Sequence, residues 1–393
     1  MGGGIAIRNQ DRGLLLKFNA IGDTLWTKQF GDTTNFRTFR QAIPTRDGGF
    51  AVVGEYGAVG QRADGWLVKT DSLGNLEWER YYSVSLGTEE ALSSVFQTTD
   101  GGYILGGREL QFPNQSIRNE DPIVIKVDSL GNQQWRYRYD TQFNDANAYV
   151  LQTQDGNFVI GASTSYSQNV TGGNGNSRAT LVKLNANGTQ LWAKQFGFIS
   201  SNHAFLTVKE LPNGDLIAVG RRRHNTAGKI EGLMVKTKAN GDSIWVNTYE
   251  NDANGLFNQN YLWDVIQLPD GGFMAAGEVL GVPPHASARQ DPWVIRVDSN
   301  GCILQNCLIG IDDSKGETNK HNLSIYPNPT NGVVNIETSL KIKTVIIYNA
   351  QGQTIKEIKN PTSQFELPKA RGIYFLRIET DSGKIIKQKI IKT

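Results

Sequence analysis

Residues 91–110 read ALSSVFQTTDGGYILGGREL, and residues 120–140 read EDPIVIKVDSLGNQQWRYRYD. In the first stretch, Asp100-Gly101 separates two runs rich in apolar residues, which is a strong short-range signal for a β-hairpin. In the second, the turn sequence Asp-Ser-Leu-Gly at 128–131 separates an apolar run from a strand that carries Trp135. Together the two stretches predict four antiparallel strands, with a loop between the second and the third.

The same unit recurs along the first three quarters of the chain. Residues 148–163 read AYVLQTQDGNFVIGAS and residues 179–197 read ATLVKLNANGTQLWAKQFG, and related stretches occur on both sides of them. A small four-stranded sheet buries both faces only by stacking against its neighbours, so the repeats predict an all-β chain with a β-propeller of about six four-stranded blades. The unit at the N-terminus starts at Gly2 in the position of the second strand and is incomplete.

Five of the units carry a tryptophan in the fourth strand, and Gln305 occupies that position in the sixth. The five are Trp26, Trp78, Trp135, Trp192 and Trp245. The Gly-x-x-x-Trp pattern at each resembles the tryptophan-docking motif of quinoprotein-like propellers over a short stretch. This favours structural packing between blades and implies no activity; a ring of sugar-stacking platforms is the alternative function for the same residues.

Each third strand carries a cation in one register. The six are Lys17, Lys69, Lys126, Lys183, Lys236 and Arg296. If they lined one end of the channel, they would attract an anionic ligand. An acid precedes the third strand in four units, as Asp64, Asp121, Glu231 and Asp291. Pairing with these acids would neutralise the field, and it is the interpretation that the recurrence of the acids favours.

The C-terminal residues follow another pattern. Residues 323–339 read LSIYPNPTNGVVNIETS, and a Gly-x-Tyr strand follows near the end. The distinctive positions are Tyr326, Pro327, Asn328, Pro329, Gly332, Gly372 and Tyr374. On these residues the segment resembles the type A C-terminal sorting domain of cargo of the Bacteroidetes type IX secretion system. The resemblance implies a small immunoglobulin-like β-sandwich, recognition by the type IX machinery, and delivery to the cell surface or the medium.

Composition narrows the remaining function classes. The 393 residues carry a net charge of only +2, with no clustered basic surface of the kind that nucleic-acid binding requires. No apolar run is long enough to span a bilayer. The first residues, MGGGIAIRNQDRGLLLKF, lack the pattern of a signal peptide. Because an exported cargo needs such a leader, we expect the natural chain to begin upstream of Met1 with a signal peptide, the missing strand and, as an open alternative, a seventh blade.

The two cysteines lie close together at the predicted end of the sixth unit, as Cys302 and Cys307. In an exported protein an isolated pair predicts a disulfide, whereas a metal site would need further ligands. The polar stretch 311–322 is the predicted linker between a propeller at 1–310 and the sorting domain at 323–393.

No local catalytic motif is present, and the four histidines are scattered. The most distinctive segment is Arg221-Arg222-Arg223-His224, a candidate binding loop for which a solvated loop is the simpler interpretation. We expect a monomeric binding or structural module without metal or cofactor, acting on a glycan or protein ligand. The alternative is a propeller hydrolase or lyase of polysaccharides, which should gather two or more carboxylates at the channel mouth.

Overall fold

The chain, in a computed structural model, divides into two compact units, residues 1–301 and 302–393. The structure describes residues 2–7, 10–31, 35–58, 62–83, 87–114, 117–140, 145–165, 177–197, 201–224, 229–251, 259–280, 290–303, 323–328, 330–338, 340–349, 354–381 and 385–392. Every secondary-structure element identified in these ranges is a β-strand. The boundary after residue 301 falls before the predicted linker, whose residues 311–322 lie outside the described ranges.

The first unit contains six consecutive antiparallel sheets, one for each repeat. Sheet 1 consists of β1 (Gly2–Ile7), β2 (Gln10–Phe18) and β3 (Thr24–Phe30). Sheet 2 consists of β4 (Asn35–Pro44), β5 (Phe50–Ala58), β6 (Asp64–Thr70) and β7 (Leu76–Tyr82). Sheet 3 consists of β8 (Thr88–Gln97), β9 (Tyr103–Asn114), β10 (Ile117–Val127) and β11 (Gln133–Arg138). Strands that are neighbours in sequence are neighbours in each sheet, as a propeller blade requires.

Sheets 4 to 6 repeat this arrangement. Sheet 4 consists of β12 (Ala146–Gln152), β13 (Phe158–Ser165), β14 (Ser177–Leu184) and β15 (Gln190–Phe196). Sheet 5 consists of β16 (Ser201–Glu210), β17 (Leu216–His224), β18 (Ile230–Thr237) and β19 (Ser243–Tyr249). Sheet 6 consists of β20 (Gln259–Gln267), β21 (Phe273–Leu280) and β22 (Gln290–Val297). A single parallel pair, Ile230 with Gln259, links sheets 5 and 6. The fourth strand predicted for sheet 6 falls largely beyond the described residue 303.

Adjacent sheets pack face to face through apolar side chains. Between sheets 2 and 3, Leu67 shares a buried cluster with Leu105 and Ile123. The opposite face of sheet 3 contributes Ile104 and Val124 to a cluster with sheet 4. The third strands are therefore buried on both sides, which explains their nearly continuous apolar sequence.

Each tryptophan of the fourth strand packs against the next blade. The six-membered ring of Trp135 lies against the turn of sheet 4, where a Cβ added to Gly188 would come within 2.8 Å of it. The indole Nε1 donates a hydrogen bond to the carbonyl oxygen of Ala186 at 3.1 Å, and the ring meets Phe158 edge to face at 5.6 Å. The turn glycines approached in this way by Trp26, Trp78, Trp135, Trp192 and Trp245 are Gly74, Gly131, Gly188, Gly241 and Gly301. The geometry supports the predicted docking role between blades.

Four of the six recurring cations are paired, but with other acids than the sequence suggested. Lys126 is nearly buried, and its Nζ lies 2.9 Å from a carboxylate oxygen of Asp100 in the turn between β8 and β9. The equivalent pairs are Lys69 with Asp47, Lys183 with Asp155 and Arg296 with Asp270. The expectation that acids such as Asp121 neutralise these cations is wrong. Asp121 precedes Lys126 by five residues, about 16 Å along a strand, whereas the turn of the adjacent hairpin lies beside the lysine.

The last sheet differs from the others in the exposure of one face. Met274 and Val294 of sheet 6 occupy the positions of Ile104 and Val124 in sheet 3. Ile104 and Val124 are buried, whereas Met274 is 37% exposed and Val294 61% exposed. Within the described residues, sheet 6 therefore packs through one face, against sheet 5, and leaves much of the apolar surface of its other face exposed.

The second unit is a two-layered β-sandwich. One sheet consists of β23 (Leu323–Tyr326), β24 (Val333–Thr338) and β27 (Gln364–Glu366), and the other of β26 (Thr354–Lys359), β25 (Ile342–Tyr348), β28 (Gly372–Thr380) and β29 (Ile385–Lys392). Val334 and Ile336 of the first sheet share one core with Val345, Ile347 and Leu376 of the second. This common core holds the two layers together.

Candidate functional site

The first strands of the blades lie at the centre of the first unit. The strands β4, β8, β12 and β16 are edge strands of their sheets, and β20 is joined to sheet 5 by a single pair with β18. These five strands contact one another in series. In a propeller the innermost strands line the central channel, which is a common place for a binding site. Side chains that these strands expose are therefore candidates for ligand contact.

A β-bulge interrupts four of these inner strands at the same level. In sheet 2 the pairing shifts between Phe39 and Gln41, so that Arg40 is the additional residue, and in sheet 6 it shifts between Leu262 and Asp264 around Trp263. A glycine of the second strand faces each bulge, because the inner strand comes too close for a side chain. A Cβ at Gly54 would lie 1.8 Å from a carbonyl oxygen of the inner strand. Bulges of this kind turn one side chain away from the regular pleat.

The bulges expose one cationic and one aromatic side chain. The side chain of Arg40 is 48% exposed, and its Nη2 pairs with the Glu55 carboxylate at 2.5 Å. Trp263 is 45% exposed, and its ring stacks on that of Tyr261 with a centroid distance of 6.0 Å and an interplanar angle of 13°. Both residues occupy the same position of the repeat.

Arg221 of sheet 5 completes this group. Its guanidinium carbon lies 5.6 Å from the centroid of the Tyr261 ring, within the range of a cation–π contact. Among the described residues it forms no ion pair with a carboxylate. The five residues Arg40, Tyr149, Arg221, Tyr261 and Trp263 are called the channel site below.

Tyr149 of sheet 4 connects the two arginines. Burial raises the pKa of its hydroxyl, while the positive charges of Arg40 and Arg221 act in the opposite direction. Tyr149 lies on the inner strand β12, within the electrostatic range of both arginines. A tyrosine hydroxyl is protonated at neutral pH, so it can donate a hydrogen bond.

Nearer the hairpin turns, the inner strands of sheets 2 to 5 enclose a cavity of about 590 Å³. Polar side chains around it bond to the turn of a neighbouring blade. Gln97 accepts a hydrogen bond from the backbone N–H of Arg46 at 2.9 Å, and Gln152 accepts one from that of Thr99 at 2.8 Å. These groups hold adjacent blades together, so this end of the channel has a structural role.

Sheet 3 contains a cluster of buried carboxylates bridged by arginines. The side chains of Glu90, Glu109 and Asp121 are at most 4% exposed. Arg136 lies 3.7 Å from Glu90 and also binds Glu109, while Arg138 lies 3.3 Å from Glu109 and 3.7 Å from Asp121. Two or more carboxylates are thus gathered, but they are inaccessible to a substrate in the channel.

The two sides of this cluster differ in proton affinity. Burial, with a contribution from nearby Asp140, raises the pKa of Asp121 to about 7. Burial also acts on Glu109, but a hydrogen bond from Gln111 and the charge of Arg136 hold the pKa of that carboxyl below its usual value. No group of three or more potential ligands positioned for a metal ion occurs in the described part of the chain.

The candidate binding loop is corrected by the structure. Arg221, Arg222, Arg223 and His224 belong to the strand β17 and not to a loop. They pair with β16, and the first three also with β18. Arg222 faces Glu231 at 3.6 Å, Arg223 is exposed, and the side chain of His224 lies outside the described residues. Only Arg221 belongs to the channel site.

The other predicted positions are the two cysteines that follow sheet 6 and the motif residues of the sandwich. Cys302 is 4% exposed, but Cys307 lies outside the described ranges, so the disulfide stays a prediction. In the sandwich, Asn328 accepts a hydrogen bond from the backbone of Ile391 at 2.9 Å, which ties the Tyr-Pro-Asn-Pro segment to the last strand. The Tyr374 hydroxyl donates to the carbonyl of Ala370 at 2.8 Å.

Gly332 and Gly372 adopt φ values of 140° and 145°, which favour glycine, and Tyr326 and Pro327 are joined by a cis peptide bond. Pro329 lies outside the described residues. The motif residues thus fix the turns around β23, β24 and β28.

Residues 324–392 match the family model of the secretion system C-terminal sorting domain. This segment is a type IX sorting domain. It marks the chain as cargo for export to the cell surface or the medium, and it implies contact with the secretion machinery. The sorting domain covers the sandwich alone, so it does not describe what the propeller does. No helix in the described ranges is long and apolar enough to cross a membrane.

No curated protein shows a significant sequence match to the chain. Several solved structures are similar to the chain at low sequence identity. A polysaccharide lyase of family PL25, an ulvan lyase, is 12% identical over 74% of this chain and 70% of its own, with a TM-score of 0.45. A protein of unknown function from Bacteroides caccae is 12% identical over 75% and 92%, with a TM-score of 0.44.

A surface component of the type IX secretion system is also similar to the chain. PorZ of Porphyromonas gingivalis is 11% identical over 98% of this chain and 63% of its own, with a TM-score of 0.35. At these identities and TM-scores the similarities assign no function to the chain.

Proposed function

We propose that the propeller of this exported chain is a binding module whose ligand enters the central channel and contacts the channel site. The observation that carries the proposal is the placement of Arg221. This cation makes no ion pair with a described residue and lies over the ring of Tyr261, which in turn stacks on the exposed ring of Trp263. An available cation held against an aromatic stack with one exposed ring is a typical arrangement for ligand recognition.

The buried acids argue against the alternative, a polysaccharide hydrolase or lyase. A general acid or base must come within hydrogen-bond distance of the substrate, directly or through one water. Glu90, Glu109 and Asp121 are buried and bridged by Arg136 and Arg138. We therefore assign this cluster to the packing of sheet 3 and not to catalysis.

The purified full chain tests the proposal in affinity gel electrophoresis against a panel of soluble polysaccharides. Each polysaccharide is also incubated with the protein and assayed for new reducing ends and for unsaturated sugar ends. Retardation by a polysaccharide without either product supports a binding module. Release of products by the wild-type chain, and not by a variant that loses binding, would contradict the proposal and support the enzyme.

A further inference from the structure

We propose that the channel site selects sugars that carry an anionic group, a carboxylate or a sulfate. This inference rests on the proposed function, because it names the class of ligand that the channel would take. A sugar ring of the ligand would lie on Trp263, and an anionic group of the ligand would bind Arg221.

The charges around the channel single out Arg221. Arg40 is already paired with Glu55 at 2.5 Å, and Lys209 with Asp264 at 2.6 Å. Both pairs are electrically balanced. The guanidinium of Arg221, at the same level of the channel, has no carboxylate partner among the described residues. A bidentate contact with a carboxylate or sulfate would satisfy it, whereas a neutral sugar offers only weaker acceptors.

The aromatic side chains hold that cation in place. Arg221 lies over the ring of Tyr261, and Tyr261 is nearly parallel to Trp263. A guanidinium resting on an aromatic ring loses little conformational freedom when it binds, so its donors are oriented in advance. The exposed ring of Trp263, stacked on the same tyrosine, provides an apolar surface.

The repeat itself supplies the comparison with a purely structural role. At the position of Trp263 the other inner strands have Arg40, Ser93, Ala148 and Leu206, and at the position of Arg221 the other second strands have Glu55, Arg108, Ser163 and Glu278. A residue needed for blade packing recurs from blade to blade, as the docking tryptophans do. Trp263 does not recur, and the arginine that shares the position of Arg221, Arg108, is paired with Glu120 at 3.3 Å. Blade packing therefore does not explain Trp263 or an Arg221 without a carboxylate partner.

Two pairs of probes test this by titration calorimetry with the full chain. Oligogalacturonate is compared with its methyl-esterified form, and sulfated dextran oligosaccharide with dextran, so that each pair differs only in charge. We expect one anionic probe or both to bind, at least about tenfold more tightly than the uncharged counterpart, and to weaken with added salt. The two pairs separate a carboxylate ligand from a sulfate ligand.

The variants are Arg221→Gln and Trp263→Ala, with Lys194→Gln as the matched control. Lys194 lies on the outer strand of sheet 4, and its replacement removes the same charge far from the channel strands. Loss of a charge-assisted contact predicts about ten- to a hundredfold weaker binding of the anionic probe by Arg221→Gln. Trp263→Ala should weaken it about tenfold, since it removes the apolar surface on which the sugar ring rests. Lys194→Gln should bind like the wild type.

Three results would overturn the inference. These are equal affinity for charged and uncharged probes, equal affinity of Arg221→Gln and Lys194→Gln, and no binding of any of the four probes by the folded chain. If an uncharged probe binds and Trp263→Ala weakens it, the proposed channel-binding function stands while anion selectivity fails. Product release from a probe would instead refute the binding-module proposal itself. Circular dichroism and urea midpoints verify folding; because Trp263 is exposed, that variant remains a test if Arg221→Gln is unstable.

Discussion

Two glycines in sheet 4 permit a matched test of how the blades are joined. Gly156 and Gly188 both lie in hairpin turns with φ values of 80° and 81°. An alanine at either position must adopt the same left-handed conformation, which costs about 1 to 2 kcal/mol. At Gly156 an added Cβ meets no other atom within 4 Å, whereas at Gly188 it comes within 2.8 Å of the Trp135 ring.

The difference between the two substitutions isolates the docking contact. Forcing a methyl group into a packed interface costs about 1 to 3 kcal/mol beyond the backbone strain. We therefore expect Gly156→Ala to lower the free energy of unfolding by about 1 to 2 kcal/mol and Gly188→Ala by about 2 to 5 kcal/mol. The ring of Trp135 must shift in the second variant, so its fluorescence spectrum should change as well.

Urea denaturation of the full chain, followed by circular dichroism, measures both values. A double-mutant cycle with Trp135→Ala completes the test, because removal of the ring should abolish the additional loss caused by Gly188→Ala. Equal destabilisation by the two glycine variants, or a loss that persists without the ring, would refute docking of Trp135 on this turn.

Three further predictions concern the carboxylate cluster, the tail and the cysteines. Because the native pKa of Asp121 is raised to about 7, the stability that this group contributes should fall as the pH rises from about 4 through 7. Asp121→Asn should remove that decline and should be more stable than the wild type by at least about 1 kcal/mol at pH 8. Parallel pH profiles of the two proteins in urea melts would contradict this. Deletion of residues 323–393 should leave a folded propeller in the periplasm of a type IX-competent host, and its appearance at the cell surface on fractionation would argue against tail-dependent export. If Cys302 and Cys307 form a disulfide, reduction should lower the melting temperature without unfolding the domain, since a short loop contributes about 2 to 3 kcal/mol, whereas full thiol labelling of the native protein would exclude the bond.

The sequence predicted the features that repeat and missed the ones that do not. Asp-Gly turns, apolar third strands and docking tryptophans recur from blade to blade, so each unit supports the interpretation of the others. The sequence marked Arg221 only as part of a basic segment, with a solvated loop as the simpler interpretation, and Trp263, which has no counterpart in other units, was not marked at all. The glycine opposite each bulge, such as Gly54 or Gly277, was a readable signal, because glycine within a strand often marks a bulge or a close approach of another backbone.

The pairing of the cations shows a second limit of pattern reading. An acid five residues before a cation recurs in the sequence, as Asp121 before Lys126, and this suggested an ion pair. The two residues lie on the same strand, and five residues of extended chain hold them apart. The partner of Lys126 is Asp100, which the hairpin between β8 and β9 brings alongside. Sequence spacing along one strand is therefore a weaker guide to contact than the register between strands.

Hydrogen exchange measured by mass spectrometry tests the central claim most directly, because it locates the bound ligand in the unmodified chain. The full chain is compared with and without the tighter-binding anionic oligosaccharide. A ligand in the channel predicts slower exchange in the inner strands β4, β12 and β20 and around Arg221, with no change in the outer strands β15 and β19 or in the sorting domain. Protection confined to the outer strands, or to residues 323–393, would contradict it.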